Sequence, residues 1–590
     1  MNQKSFHLPL LAIFLLALWV GCTGTNSSKT EGGIASNSHI LTQNDKKDWW
    51  KEAIVYQIYP RSFKDNDGNG IGDLKGIISK LDYLKSLGIN TIWINPIMES
   101  PNFDNGYDVS DYYKISSLFG SMQDFDSLLN GMHKRGIHLV MDMVLNHSSN
   151  ENKWFKESRS SRTSPYRDYY HWWPAEKGKP TPRWSFFDVN ADAWKYDTLT
   201  NAYYLHYFAQ QQPDLNWENP KVREELYKMM KFWLDKGVDG MRMDAFQYVS
   251  KDTTWPVFPK GYDKNIDNYY GKGPHLHDYI QEMNKELLSK YNIMTVAEGA
   301  GTTQDDAMKF VDSSRHEFSL AYHFKGIGYG DYDPNYKLVG FKKVYSSWDS
   351  AFAQKGWLSI FLANHDQPRM VSHWGDDSPE FRDPSSKMLT TFLMTMRGTP
   401  FYYNGDELGM VNIKFDKITQ YQDIQTVNAY KHLALQKGDT LAFLERQKRA
   451  SRENSRTPFQ WDDSENAGFT TGKPWLPVNA NYKELNAAKQ EKDPNSVLNY
   501  FRKIVKLRND HKDVLVYGKY TLLDAENPNV YSYTREQDGK KFLILLNFKK
   551  TKSKQNTGID LSKAKLLLSN YTHPGKGEIL QPFEAQVYQL

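Results

Sequence analysis

The sequence predicts an α/β protein built on a (β/α)8 barrel, with a subdomain inserted after the third strand and an all-β sandwich at the C-terminus. Three patterns carry this prediction. Eight short, nearly continuous apolar runs alternate with longer amphipathic helical stretches between Ala53 and Tyr403, as expected of parallel strands buried on both faces. The stretch between the third and fourth runs holds far more chain than a crossover helix requires. After Arg508 the pattern changes to short strands of alternating polarity.

Residues 1–22 read as a lipoprotein-type signal peptide: Lys4, then Leu8 to Val20 almost wholly apolar, then Gly21 and Cys22. That run is too short to span a bilayer as a helix. Cys22, the chain's single cysteine, resembles the acylated cysteine of a bacterial lipobox, although Trp19 stands where that pattern prefers Leu. An ordinary cleaved signal with an incidental cysteine is the alternative. Residues 23–48 are rich in Ser, Thr, Asn, Gly and Lys and read as a flexible tether. The expectation is an exported lipoprotein on the periplasmic side of a membrane or at the cell surface, touching the membrane through its lipid anchor only. With no second cysteine there is no disulfide, and the exported part must rely on its core.

The first part of the barrel covers residues 49–147, with strands predicted at Ala53–Tyr59, Thr91–Pro96 and His138–Leu145. Residues 148–217, rich in Trp, Tyr, Pro and Asn, form the inserted subdomain. The second part of the barrel, 218–508, carries strands at Val238–Met243, Ile293–Ala297, Ser319–His323, Trp357–Ala363 and Thr399–Tyr403. Residues 509–590 form the terminal sandwich, with strands at Lys519–Leu523, Val530–Thr534, Lys541–Asn547 and Ala585–Leu590.

A chain of 590 residues carrying 74 basic and 70 acidic side chains has no basic excess with which to hold nucleic acid. Aromatic residues make up 14% of it, with 17 Trp and 37 Tyr, which suits a protein that stacks rings on sugars, although large barrels also bury many aromatics.

In such barrels, reactive residues collect where strands end. The stretch from Gly237 to Ala245 places Arg242 and Asp244 two apart, so a strand points both to one face, and the guanidinium favours an ionised carboxylate. A structural salt bridge is the competing reading. The third strand runs into Asp142 and His147, the fifth into Glu298, and the seventh into Asn364, His365 and Asp366. For a lone histidine such as His147 a structural role is the commoner outcome, but four strand ends with polar residues on one rim is not a chance pattern. Asp244, Glu298 and Asp366 supply the parts for glycoside cleavage with retention: an attacking carboxylate, a proton donor and a carboxylate that orients the sugar. The apolar neighbours Ala297 and Gly299 would favour a neutral Glu298, and Arg242 an ionised Asp244. His147 and His365 would donate to ring hydroxyls.

These residues resemble glycoside hydrolase family 13, the α-amylase family, and within it the oligo-1,6-glucosidase and α-glucosidase branch. The resemblance runs from about Trp49 to the C-terminus and includes the segment Gln212 to Asn216. It implies a TIM barrel with Asp244 as nucleophile, Glu298 as acid/base and Asp366 as transition-state stabiliser. By the same resemblance Tyr107 stacks beneath the cleaved glucose, Asp108 grips its far hydroxyl, and Arg456, in the motif Ser451 to Pro458, pairs with Asp108 to close the pocket. A closed end implies an exo enzyme. The acid/base strand has Ala297 and Gly299 around Glu298 where the branch pattern has Gly and Met. Ala245 accompanies α-1,4 preference in this branch, with α-1,6 activity alongside it. The loop from Asp65 to Asp73 spaces oxygen ligands alternately, as a hard cation requires, and its twelfth position is Gly76, so it is not an EF-hand. It resembles the branch's structural Ca2+ loop, with ligands from Asp65, Asp67, Asn69, the carbonyl of Ile71, and Asp73; a metal-free turn is the alternative.

The expected activity is therefore that of a retaining exo-α-glucosidase acting on short oligosaccharides. The alternatives are a sucrose isomerase or trehalose synthase on the same scaffold and, against the intact carboxylate set, a non-catalytic glycan-binding or transporter-ancillary relative.

Overall fold

The computed structural model describes residues 48–299, 303–322, 326, 332–333, 335–575 and 577–590. The signal segment, Cys22, the tether as far as residue 47, and His323 lie outside the described residues. No helix among the described residues is long and apolar enough to cross a membrane.

All eight predicted barrel strands are present and lie in one parallel sheet: β1 (Val55–Ile58), β2 (Thr91–Ile94), β3 (His138–Val144), β4 (Gly240–Asp244), β5 (Met294–Ala297), β6 (Leu320–Ala321), β7 (Ser359–Ile360) and β8 (Thr399–Tyr403). Their order is β6-β5-β4-β3-β2-β1-β8-β7. β6 and β7 end the ladder at its two edges, and the Ser359 hydroxyl donates to the Ala321 carbonyl at 2.9 Å across the gap between them. Both edge strands are only two residues long, shorter than the predicted Ser319–His323 and Trp357–Ala363. The remaining strands are buried along nearly their whole length, which is why their sequences read as unbroken apolar runs.

Helices pack outside the strands for local reasons visible in the sequence. In α1 (Met122–His133), Ser121 and Asp124 cap each other's backbone N–H groups, and Gly136 leaves the helix with φ +66. In α2 (Pro220–Asp235), Asn219 caps the first turn and Pro220 opens it, while Val222, Leu226, Met229, Met230, Trp233 and Leu234 form the buried stripe. Further along the chain, α3 (Leu276–Glu286) and α4 (Leu338–Phe352) bury apolar residues of their own. At the barrel's base, where β4 begins, the buried Asp239 accepts from His133 Nε2 at 2.8 Å, His138 Nδ1 at 3.1 Å and the Leu139 amide at 2.8 Å.

Residues 148–217 hold a short helix (Lys153–Ser160) and a three-stranded antiparallel sheet in which Ala202–Leu205 lies between Trp172–Pro174 and Trp194–Asp197. The C-terminal region is a five-stranded antiparallel sheet of order β9-β10-β11-β13-β12: β9 (Lys519–Leu523), β10 (Val530–Gln537), β11 (Lys540–Asn547), β12 (Lys565–Ser569) and β13 (Ala585–Gln589). A two-stranded ribbon of Ser553–Lys554 and Ile579–Leu580 accompanies it. Sequence reasoning missed β12, whose half-exposed residues do not alternate. Two buried arginines tie this region to the barrel through carbonyl oxygens. Arg508 donates to Met394, Met396, Gly398 and Leu515, and Arg535 to Thr395, Leu515 and Gly518. Burial lowers both guanidinium pKa values, to about 9 for Arg508 and about 10 for Arg535.

One feature escaped the sequence reading. Between β8 and the last barrel helix, α5 (Ile424–Leu435) and α6 (Thr440–Ala450) form a hairpin over the strand ends. It touches the inserted subdomain through Asn428 to the Phe187 carbonyl and His432 to the Val189 carbonyl, both at 2.8 Å.

Candidate active site

Arg242, 1% exposed, is the hub of the site. Its Nη1 lies 2.7 Å from Asp142 Oδ1 at the middle of β3 and 2.7 Å from Asp244 Oδ1 at the end of β4, and its Nη2 lies 2.5 Å from Glu298 Oε1 just past β5. The parallel register explains the convergence, since Asp142 pairs with Arg242, and Arg242 with Val296 two residues before Glu298. Burial pushes the Asp244 and Asp142 carboxyls up, Asp142 to about 6, and the neighbouring carboxylates add to this while Arg242 opposes it. Burial and the neighbouring carboxylates thus favour the neutral form of Asp244 and Asp142, and Arg242 favours the ionised form.

Glu298 does not stand in the low-polarity surroundings that its neighbours in sequence suggest. Arg242 bonds both carboxylates, and the Ala245 amide donates to Glu298 Oε2 at 2.9 Å. The polar contacts arise because the guanidinium reaches across from the neighbouring strand, which the residues flanking Glu298 in sequence do not reveal.

Asp366 has the opposite environment. Its Oδ1 takes Arg456 Nη2 at 2.8 Å and Arg452 Nη1 at 3.1 Å, and His365 Nε2 lies 3.2 Å from Oδ2. Burial alone would raise this carboxyl, but His365, Arg452 and Arg456 outweigh it and hold Asp366 well below the usual carboxylate range. Burial pushes His365 well below its ordinary value, so the ring is neutral. Gln57 Nε2 donates to His365 Nδ1 at 2.8 Å, which leaves the proton on Nε2, facing the Tyr107 hydroxyl at 2.7 Å and Asp366. The Tyr107 ring stacks on His365 with centroids 5.4 Å apart and planes 8° from parallel, and its hydroxyl donates to Asp142 Oδ2 at 2.9 Å. His147 is buried with Nε2 3.0 Å from the Tyr107 carbonyl, and burial lowers its pKa to about 3.

The expected pairing of Asp108 with Arg456 does not occur. Asp108, fully buried, accepts from the backbone amides of Phe103 and Asp104 at 3.0 Å each, holding the loop that carries Tyr107. Arg456 is spent on Asp366, Asp423 and the His365 carbonyl. The pair that forms is Asp104 with Arg452, 3.2 Å between Oδ1 and Nη2. Each partner lies four residues before the predicted one, on the side of its loop that faces the cavity. Behind them stands Asp423, also missed, which accepts from both arginines. Gln212, in the predicted segment, donates to Asp104 Oδ2 at 3.2 Å.

These groups surround a cavity of about 540 Å3. Asp244, Glu298 and Asp366 line its walls together with Tyr107 and His147, Asp104 and Arg452 line it with them, and the hairpin of α5 and α6 contributes Gln425, Thr426, Phe443 and Arg446. Of the predicted residues, Arg242, His365, Asp108 and Arg456 stand behind this lining. Ala245 lines it with a left-handed backbone, φ +46, where Cβ branching would add strain.

Away from the cavity, the side-chain oxygens of Asp65, Asp67 and Asp73 lie within 4.8 Å of one another. Asp65 accepts from the Gly68 and Gly70 amides at 2.8 and 2.7 Å, Asn69 Oδ1 from the Ile71 amide at 2.8 Å, and Asp73 caps the helix Leu74–Ser79. Three carboxylates with lone pairs to spare are a donor set that fits a hard divalent cation.

Residues 57–518 match the family model described as α-amylase, catalytic domain. The chain is 48% identical to an oligo-1,6-glucosidase of Parageobacillus thermoglucosidasius over 562 residues, covering 92% of this chain and 99% of that one. It is 45% identical to an α-glucosidase of Pediococcus pentosaceus, covering 92% and 99%. Among solved structures it resembles the isomaltulose synthase SmuA from Protaminobacter rubrum, with a TM-score of 0.88 at 46% identity, over 92% of this chain and 100% of that one.

Proposed function

Because the chain belongs to the α-amylase family of glycoside hydrolases, we propose that it is a retaining exo-α-glucosidase that releases terminal α-linked glucose from short oligosaccharides. The observation that carries this reading is the Asp104–Arg452 pair among the residues lining a cavity that also holds Asp244, Glu298 and Asp366. A paired carboxylate and guanidinium suit the hydroxyls of a terminal glucose, and in this reading they close the pocket behind it. In this reading Asp244 attacks the anomeric carbon, Glu298 protonates the leaving oxygen, and the ionised Asp366 orients the ring. Retention uses two carboxyls that face each other across the scissile bond, and Arg242 bonds both of the carboxyls given these roles. Ala245 supports preference for α-1,4 linkages, with α-1,6 linkages, for which the Parageobacillus relative is named, cleaved in the same pocket. Asp244→Asn tests the assignment: hydrolysis of maltose should fall by about a thousandfold or more, and an unchanged rate would overturn it.

The likeness to an isomaltulose synthase favours a second reading, in which the glucosyl unit is returned to a sugar acceptor in place of water. Isomers accumulating from sucrose in place of glucose and fructose would establish it.

The acidic loop is proposed as a structural Ca2+ site, with Asp65, Asp67, Asn69, the Ile71 carbonyl and Asp73 as ligands. Export as a lipoprotein acylated at Cys22 is likewise proposed from the leader. Labelling with radioactive palmitate that is lost in Cys22→Ala would support it, and labelling that persists would refute it.

A further inference from the structure

The chain's positive charge is not spread evenly. Residues 549–565 carry six lysines against one carboxylate, a larger net charge than the +4 of all 590 residues together. They lie in the C-terminal region, in the loop after β11, in the ribbon and in the segment leading into β12. Lys550, Lys552, Lys563 and Lys565 are exposed and Lys549 is half-buried, and none of these five pairs with a carboxylate among the described residues. Lys554 is paired, with Glu578 at 3.1 Å. Asp560, the single acidic group of the stretch, accepts from the Ser562 amide and hydroxyl at 2.9 and 2.8 Å.

Packing brings the basic segments together. Leu580 of the ribbon is buried in a small apolar cluster with Val530, Leu543 and Leu545, and Ile559, Leu561 and Ala564 pack against the same cluster. Ala564 stands between Lys563 and Lys565, and Lys554 lies opposite Ile579 in the ribbon. The two segments therefore meet over one face of the C-terminal sheet. Two large apolar side chains stand exposed among these lysines, Ile579 at 52% and Leu566 at 37%.

Each feature narrows the partner. Unpaired lysines answer an anionic surface. Exposed Ile and Leu gain nothing from a dissolved polyanion, but they gain by entering the boundary of a bilayer. Among the described residues from 549 to 590 no Phe, Tyr or Trp ring is exposed, as stacking on sugars or bases would require.

We propose that this face of the C-terminal region docks on an anionic phospholipid surface. It is a membrane contact beyond the lipid anchor at Cys22, and it depends neither on that anchor nor on the α-glucosidase reading.

The test measures partition of the full-length protein onto vesicles of phosphatidylcholine alone and onto vesicles of equal parts phosphatidylcholine and phosphatidylglycerol. The ratio of the two partition constants removes the apolar contribution of the leader and of any acyl chain. A lysine close to an anionic bilayer strengthens binding about fivefold. Lys550→Gln with Lys552→Gln, and Lys563→Gln with Lys565→Gln, should therefore each lower the ratio about tenfold or more and leave the melting temperature unchanged. The same change at the exposed Lys260 and Lys264, in the loop after β4, should leave the ratio near wild type. A wild-type ratio near one overturns the proposal, as does a loss no larger than that of the Lys260 and Lys264 control. Binding to dissolved heparin with a vesicle ratio near one would give the face to another polyanion and overturn it too.

Discussion

Arg452 bonds Asp104 at 3.2 Å across 348 positions of chain, and through its other terminal nitrogen it bonds Asp366 at 3.1 Å. One guanidinium thus joins the carboxylate proposed to hold the terminal glucose to the carboxylate proposed to orient it. Such a fork cannot be reproduced by an ammonium group.

Arg452→Lys should therefore lower kcat/KM for maltose on the order of a hundredfold. Asp104→Asn should act in the same direction. Asp108→Asn, at a carboxylate that accepts the Phe103 and Asp104 amides of its own loop, should lower the melting temperature more than it lowers kcat/KM. Kinetics and thermal melts of the three variants check this, and a larger kinetic loss for Asp108→Asn than for Asp104→Asn would contradict it.

Asp423 has two duties. Its Oδ2 caps α5 through the Thr426 amide at 2.9 Å, while its Oδ1 accepts from Arg452 and Arg456. Asn caps helices about as well as Asp does, so Asp423→Asn removes the charge and keeps the cap. We expect a melting temperature close to wild type with kcat/KM reduced about tenfold or more, and partial recovery in Asp423→Glu. A variant that loses stability while keeping its kinetics would show a purely structural role.

The base of the barrel gives a pH prediction. Burial would raise Asp239, but hydrogen bonds from His133 and His138 outweigh it and hold the carboxyl well below its ordinary range. Burial would lower His133, and Asp239 outweighs that to raise it. The depressed carboxyl contributes stability that is complete above about pH 3.9 and lost as pH falls through its folded value. The raised histidine contributes stability that is complete below about pH 6.5 and lost as pH rises through its folded value. The melting-temperature gap between wild type and Asp239→Asn should therefore be widest between about pH 4 and 6.5 and shrink above that window. A gap that widens toward pH 8 would contradict the pairing.

Ca2+ added to chelator-treated protein should raise the melting temperature by several degrees, since about 100-fold excess over Kd is worth about 2.7 kcal/mol. Asp67→Asn should abolish that rise. An identical rise in the variant would place the cation elsewhere.

The barrel was legible in the sequence because strands buried on both faces must be apolar throughout, and the carboxylates proposed to be catalytic because barrel strand ends are where polar residues interrupt such runs. The pocket end was less legible. Asp104 and Asp108 share one loop and Arg452 and Arg456 another, so chain order cannot tell which of each pair faces the cavity, and only their hydrogen-bond partners decide. Glu298 was misjudged because its environment comes from Arg242 on the adjacent strand. The α5–α6 hairpin left no functional signal, since Gln425, Thr426 and Phe443 are ordinary helix residues until the chain folds over the strand ends.

The most direct test of the account is a time course of products from maltose, isomaltose and sucrose, each supplied alone to the purified protein, with the anomers of released glucose resolved by NMR. The account predicts that α-glucose appears before mutarotation, fastest from maltose. Early β-glucose would contradict retention and the roles given to Asp244 and Glu298. Isomers of sucrose in place of monosaccharides would contradict hydrolysis.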